Sequence, residues 1–110
     1  MEQLEELIFQ LIANSGSARS NIFEALDFAQ DGNFEKAKEL MEEAKKEILE
    51  AHQIQTELIQ KEAQGEKIEM NILMVHAQDH LMASMLAKDL VEKMIEMQLE
   101  IDNLKKIRRT

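Results

Sequence analysis

The sequence predicts an all-α fold, a three-helix up-down-up antiparallel bundle. Three observations lead there. The 110 residues contain no proline and three glycines, Gly16, Gly32 and Gly65, so little interrupts a helix. Ala, Leu, Glu, Lys, Gln, Met and Ile dominate while Val and Thr are scarce, which favours helix over strand. Apolar residues also recur at alternating steps of three and four, the helical signature. With 45% apolar and 32% charged residues, the chain can bury a core and stay soluble. Its length fits one domain spanning 1–110.

Helix one is expected at about 3–31. Leu4, Ile8, Leu11, Ser15, Ala18, Ile22, Ala25 and Ala29 form a heptad stripe. The stripe keeps phase through Asn14-Ser15-Gly16-Ser17, so this stretch reads as helical although its residues favour turns. Ser15 and Ala18 are small residues at core positions and leave room for something to approach. Asp31-Gly32-Asn33 ends the helix: Gly32 suits a left-handed C′ position, and Asn33 suits the N-cap of the next helix. Helix two, about 34–62, repeats the pattern with Phe34, Ala37, Met41, Ala44, Ile48, Ala51, Gln55 and Leu58. The pattern lapses around Lys61-Glu62-Ala63-Gln64-Gly65-Glu66, the second connection. Helix three is expected at about 68–107, with His76, His80, Ala83, Ala87, Leu90, Met94, Met97, Ile101 and Leu104 as its main stripe. Val75, Asp79, Met82 and Leu86 flank that stripe, and Met74, Leu81 and Met85 lie roughly opposite. A helix apolar nearly all round has more to bury than a three-helix monomer can cover. The excess predicts a partner, most simply a symmetric oligomer.

The net charge of -9 argues against nucleic acid and against an anionic membrane as partners. The basic tail Lys105-Lys106-Ile107-Arg108-Arg109 is the exception, read as complementing a helix C-terminus. Without cysteine there is no disulfide, thiolate metal site or cysteine nucleophile. The start, Met1-Glu2-Gln3-Leu4-Glu5-Glu6, is acidic where a signal peptide would be basic, and no membrane span is visible. A cytoplasmic location, without direct membrane insertion, is the expectation.

Helices rise about 1.5 Å per residue, which puts Ser15 about 18 Å up helix one and His76 and His80 about 12 and 18 Å up helix three. Helix two reaches the same height near Ala51-His52-Gln53. A layer that is small on one helix and polar on two others has the makings of a site. Asp79 sits among apolar neighbours, where an unpaired carboxylate is costly. Protonation, a cationic partner or a metal would each relieve that cost. His76 and His80, four apart, could hold Zn²⁺ with Asp79 or a residue of helix two. They could equally act as nucleophile and polar neighbour, or be hydrogen-bonded core histidines. His52 reads as a boundary residue, and Arg19 as a partner for an acidic group or a phosphate.

The stretch Val75-His76-Ala77-Gln78-Asp79-His80-Leu81-Met82, followed by Ser84-Met85-Leu86-Ala87, closely resembles the lactose/cellobiose-type enzyme IIA of the bacterial phosphoenolpyruvate-dependent sugar phosphotransferase system. Leu11-Ile12-Ala13-Asn14-Ser15-Gly16-Ser17-Ala18-Arg19 and Glu50-Ala51-His52-Gln53-Ile54-Gln55-Thr56 resemble that family's first- and second-helix motifs, in the right order. The resemblance implies a homotrimer of three-helix subunits. It implies that His76 is phosphorylated by the histidine-containing phosphocarrier protein and passes the group to a cysteine of enzyme IIB. It also implies that Asp79 meets its two symmetry mates around a buried divalent metal. Oxygen-only ligands favour a hard ion such as Mg²⁺. Beside this, His80 is a candidate for hydrogen bonding the phosphoryl oxygens. Gln78 is a weaker one, because at about 100° per residue it points away from His76. A helical metal-binding protein using His76, Asp79 and His80, or a non-catalytic interaction bundle, are the competing classes.

Overall fold

The computed structural model describes residues 2–109 as three helices: α1 Glu2–Gln30, α2 Phe34–Ala63 and α3 Ile72–Arg109. They lie side by side in a rod of 66 × 20 × 20 Å. The stripes of the first two helices are the core, as expected. Ile8, Leu11, Ser15, Ala18, Ile22, Ala25 and Ala29 of α1 are buried, as are Ala37, Met41, Ala44, Ile48, Ala51 and Leu58 of α2. The run 14–17 is helical without a break.

Both connections close with the same backbone device. After α1, Asn33 N–H donates to Phe28 O at 2.9 Å and Gly32 N–H to Ala29 O at 3.0 Å. After α2, Glu66 N–H donates to Lys61 O and Gly65 N–H to Glu62 O, both at 3.1 Å. This paired 6→1 and 5→2 pattern needs a left-handed residue at C′, and Gly32 and Gly65 supply it at φ +85° and +97°. Asn33 then caps α2, its side chain accepting from Lys36 N–H at 3.2 Å. A Cβ at Gly32 would be strained by about 1–2 kcal/mol. Gly32→Ala is therefore expected to lower the melting temperature by several degrees, on the order of 4–8 °C per kcal/mol for a chain of this size. Differential scanning calorimetry would measure it. An unchanged melting point would mean that the turn relaxes at no cost.

α3 differs from the sequence expectation in two ways. It starts at Ile72 rather than near residue 68, because Asn71 caps it. The Asn71 side chain accepts from Met74 N–H at 2.9 Å, and its carbonyl accepts the first helical bond, from Val75 N–H. One asparagine thus satisfies two donors of the first turn, which fixes the helix start at this residue. The second difference concerns orientation. The seam facing α1 and α2 is Met74, Ala77, Leu81, Ser84 and Val91, all buried, not the His76-to-Leu104 stripe. Met74 and Leu81, expected on the far face, are core. The outer stripe stays largely uncovered: Val75, Met82, Leu86, Leu90, Met94, Met97, Ile101 and Leu104 are all exposed. Sequence periodicity finds both faces but cannot say which one the shorter helices cover.

α3 also outruns its neighbours. A Cβ on Gly32 would lie 4.0 Å from Asp102 Oδ2, so the α1–α2 turn sits at the level of Asp102. The basic residues Lys105, Lys106 and Arg108 continue past it, exposed.

Candidate functional site

Three cross-helix hydrogen bonds set the register of the bundle. Asn21 Nδ2 donates to Glu47 Oε1 at 2.6 Å, joining α1 to α2. The Gln55 amide donates to Gln78 Oε1, joining α2 to α3. Ser84 Oγ donates to Ser15 O at 2.8 Å, joining α1 to α3. The small stretch of α1 thus meets α3 one turn beyond His80, and α2 meets it near Gln78. The three-helix layer exists to within about one turn of helix, but its members are not all turned inward. His52 and Gln53 are exposed on α2, so they do not join the histidines in a closed cluster.

His76 and His80 do come together. Their ring centroids are 4.4 Å apart with the planes at 89°, an edge-to-face contact. The i, i+4 spacing puts one ring over the next. His76 is exposed and His80 half-buried, so the pair has an accessible ring backed by a more enclosed one. A histidine ring nitrogen reachable from solvent beside a polar neighbour can act as a nucleophile toward a group brought by another protein.

Gln78 is placed differently. Its side chain is taken up by Gln55, and its amide nitrogen lies 4.0 Å from Met74 Sδ, on the flank of α3 toward α2. These partners lie on α2 and on the preceding turn of α3. Sequence reading had a signal for Gln55, a polar residue in an otherwise apolar stripe. Ser84, buried and bonded to the Ser15 carbonyl, was part of the quoted motif without an assigned role.

Asp79 is exposed in a field of exposed apolar side chains, with Val75 at 56%, Met82 at 53% and Leu86 at 60%. The ion pairs among the described residues are Lys36–Glu39, Lys45–Glu92, Lys61–Glu57, Lys88–Asp89 and Lys93–Glu96, and Asp79 takes part in none of them. Among the described residues, no salt bridge accounts for Asp79. Nor do His76, Asp79 and His80 gather into a metal centre, since no group of three or more His, Cys, Asp or Glu among the described residues is placed to hold an ion. The single-chain metal site considered from the spacing is not supported. Arg19 is exposed and likewise stands outside these ion pairs.

Among the described residues, no helix is long and apolar enough to cross a membrane. The sequence profile of the PTS lactose/cellobiose-specific IIA subunit matches residues 6–98. The chain is 49% identical over 96 residues to the lichenan-specific phosphotransferase enzyme IIA component of Bacillus subtilis, covering 87% of each. It is 46% identical to the lactose-specific EIIA component of Staphylococcus epidermidis, covering 87% of this chain and 92% of that one. Its fold is similar to the crystal structure of the cellobiose-specific enzyme IIA from Bacillus anthracis, with a TM-score of 0.90, 48% identity and 94% of both chains covered. It is also similar to a IIA(Chitobiose)–HPr complex from Escherichia coli, with a TM-score of 0.79, 42% identity, and 90% of this chain and 96% of that one covered. The histidine pair thus sits on a bundle whose relatives are phosphotransferase components, and the chain belongs to the lactose/cellobiose-specific IIA family of the PTS.

Proposed function

We propose that the chain is a phosphoryl carrier in the uptake of a β-linked disaccharide, accepting the group on His76. The observation that carries this is the exposed His76 ring with His80 edge-on at 4.4 Å, within the motif that resembles the family's. The donor is the histidine-containing phosphocarrier protein, consistent with the HPr complex of the chitobiose relative. An unprotonated ring nitrogen of His76 attacks the phosphorus in line with the donor's leaving nitrogen. The new P–N bond forms as the old one breaks, and the electron pair returns to the donor ring. In the second step a cysteine thiolate of enzyme IIB takes the phosphoryl group, and His76 recovers its lone pair. Phosphoryl transfer passes through a loose transition state, so positioning and charge stabilisation are the protein's main tasks. His80 is assigned to hydrogen bonding the phosphoryl oxygens, with Gln78 at most a support through its hold on α2.

The assembly is a homotrimer built on the uncovered face of α3. Residues 75–104 carry its apolar stripe over about 44 Å of helix, and a symmetric assembly of copies is the simplest cover for a surface of that extent. Asp79 lies within the stripe, so a threefold axis there gathers three carboxylates. A hard divalent cation such as Mg²⁺ fits an all-oxygen set and neutralises their repulsion. Each chain would supply one ligand, Asp79. The ion serves assembly, not transfer. The subunit works in the cytoplasm, associated through its partners with a membrane sugar transporter.

The test is a reconstituted relay containing phosphoenolpyruvate, enzyme I, the phosphocarrier protein, this chain and enzyme IIB. Label is expected to reach enzyme IIB only when this chain is present. Transfer that is independent of the chain would contradict the proposal.

A further inference from the structure

Ser15 and Ser84 are fully buried polar residues in the core, both at 0% exposure. Ser84 Oγ lies 2.8 Å from the carbonyl oxygen of Ser15 on α1 and 2.8 Å from that of His80 on its own helix. A hydroxyl carries one proton, so it serves these two acceptors in turn or shares the proton between them. Both carbonyls lie inside helices, where the N–H four residues on already pairs with them. The hydroxyl is therefore not needed to satisfy either one. Its distinctive property is direction. The hydrophobic driving force is non-directional, whereas a hydrogen bond has a preferred length and angle and adds to the register that side-chain packing sets. This contact fixes the setting of α3 against α1 at the turn that follows His80, and the His80 ring in turn meets the ring of His76.

We infer that Ser84 is a positioning residue for the histidine pair, holding His80, and through it His76, at a fixed setting against α1. The inference rests on the reading of His76 as the phosphoryl acceptor. A residue kept only because it is small would be replaced by Ala without functional effect.

The experiment is single-turnover transfer from the phosphorylated phosphocarrier protein at varied donor concentration, for wild type, Ser84→Ala and Ser84→Thr. Imidazole ¹⁵N NMR of the unphosphorylated proteins accompanies it. Ser84→Ala is expected to stay folded and bind the donor at unchanged half-saturation. Its limiting rate should fall about tenfold, within the loss that a misplacement of about 1 Å can cause, and the His76 and His80 ring signals should shift. Ser84→Thr, which keeps the hydroxyl, is expected to recover most of the rate. A folded Ser84→Ala with the wild-type rate and unshifted ring signals would overturn the inference. If Ser84→Ala does not fold, Ser84→Cys, a weaker donor of similar size, is read in the same way. A wild-type protein that takes no phosphate overturns the His76 reading and this inference together. Normal wild-type transfer beside an unimpaired Ser84→Ala overturns this inference alone.

Discussion

His76→Ala is expected to leave the bundle intact and reduce phosphoryl uptake to background. The ring is exposed, so its removal opens no core cavity, and surface changes of this kind usually alter stability by about 0.5 kcal/mol or less. The chemical loss should be complete because the nucleophile itself is gone. His80 is not expected to substitute, because it is half-buried where His76 is exposed. His80→Ala is the graded comparison. In its proposed role His80 supplies one donor to the phosphoryl oxygens, and losing such a donor typically costs about a hundredfold. Circular dichroism establishes the fold, and stopped-flow transfer from the phosphocarrier protein gives the rates. If His76→Ala retains uptake, the nucleophile lies elsewhere.

The second large effect concerns Asp79. Asp79, exposed in the single chain, is buried in the proposed trimer, so Asp79→Leu is expected to keep that trimer without metal, because replacing buried charges with packed apolar groups is often neutral or stabilising, by about 1–4 kcal/mol. On the proposed threefold axis, Asp79→Lys would gather three cations that no metal can relieve, and monomers are the expected result. Sedimentation velocity with and without a chelator separates the three proteins. The wild-type trimer should shift toward smaller species on chelation, Asp79→Leu should not respond, and Asp79→Lys should sediment as a monomer throughout. If Asp79→Leu dissociates, the ion is an assembly requirement and the apolar stripe alone is too weak.

The sequence was most informative where one face of a helix is buried. The stripes of α1 and α2 were legible, with only Leu4, Phe34 and Gln55 half-buried rather than buried, and so was the capped turn at Gly32 and Asn33, because burial and left-handed backbone each demand particular residue types. α3 was harder. With apolar residues nearly all round, its period fixes no single orientation, and the face that meets α1 and α2 proved to be Met74, Ala77, Leu81, Ser84 and Val91. Its start was misplaced because Ile68 continues the apolar pattern while Asn71 sets the cap. At the site, the His76–His80 contact followed from their spacing. The Ser84–Ser15 and Gln55–Gln78 bonds did not, since they depend on the relative rotation of two helices, which no single helix encodes.

Phosphorylation of His76 is tested most directly by the intact mass of the wild-type chain. The protein is incubated with phosphoenolpyruvate, enzyme I and the phosphocarrier protein, then treated with acid or alkali. One phosphate per chain, lost in acid, stable in alkali and absent from His76→Ala, is the expected result. A folded wild-type chain without phosphate, beside donor proteins shown to be active, would contradict it.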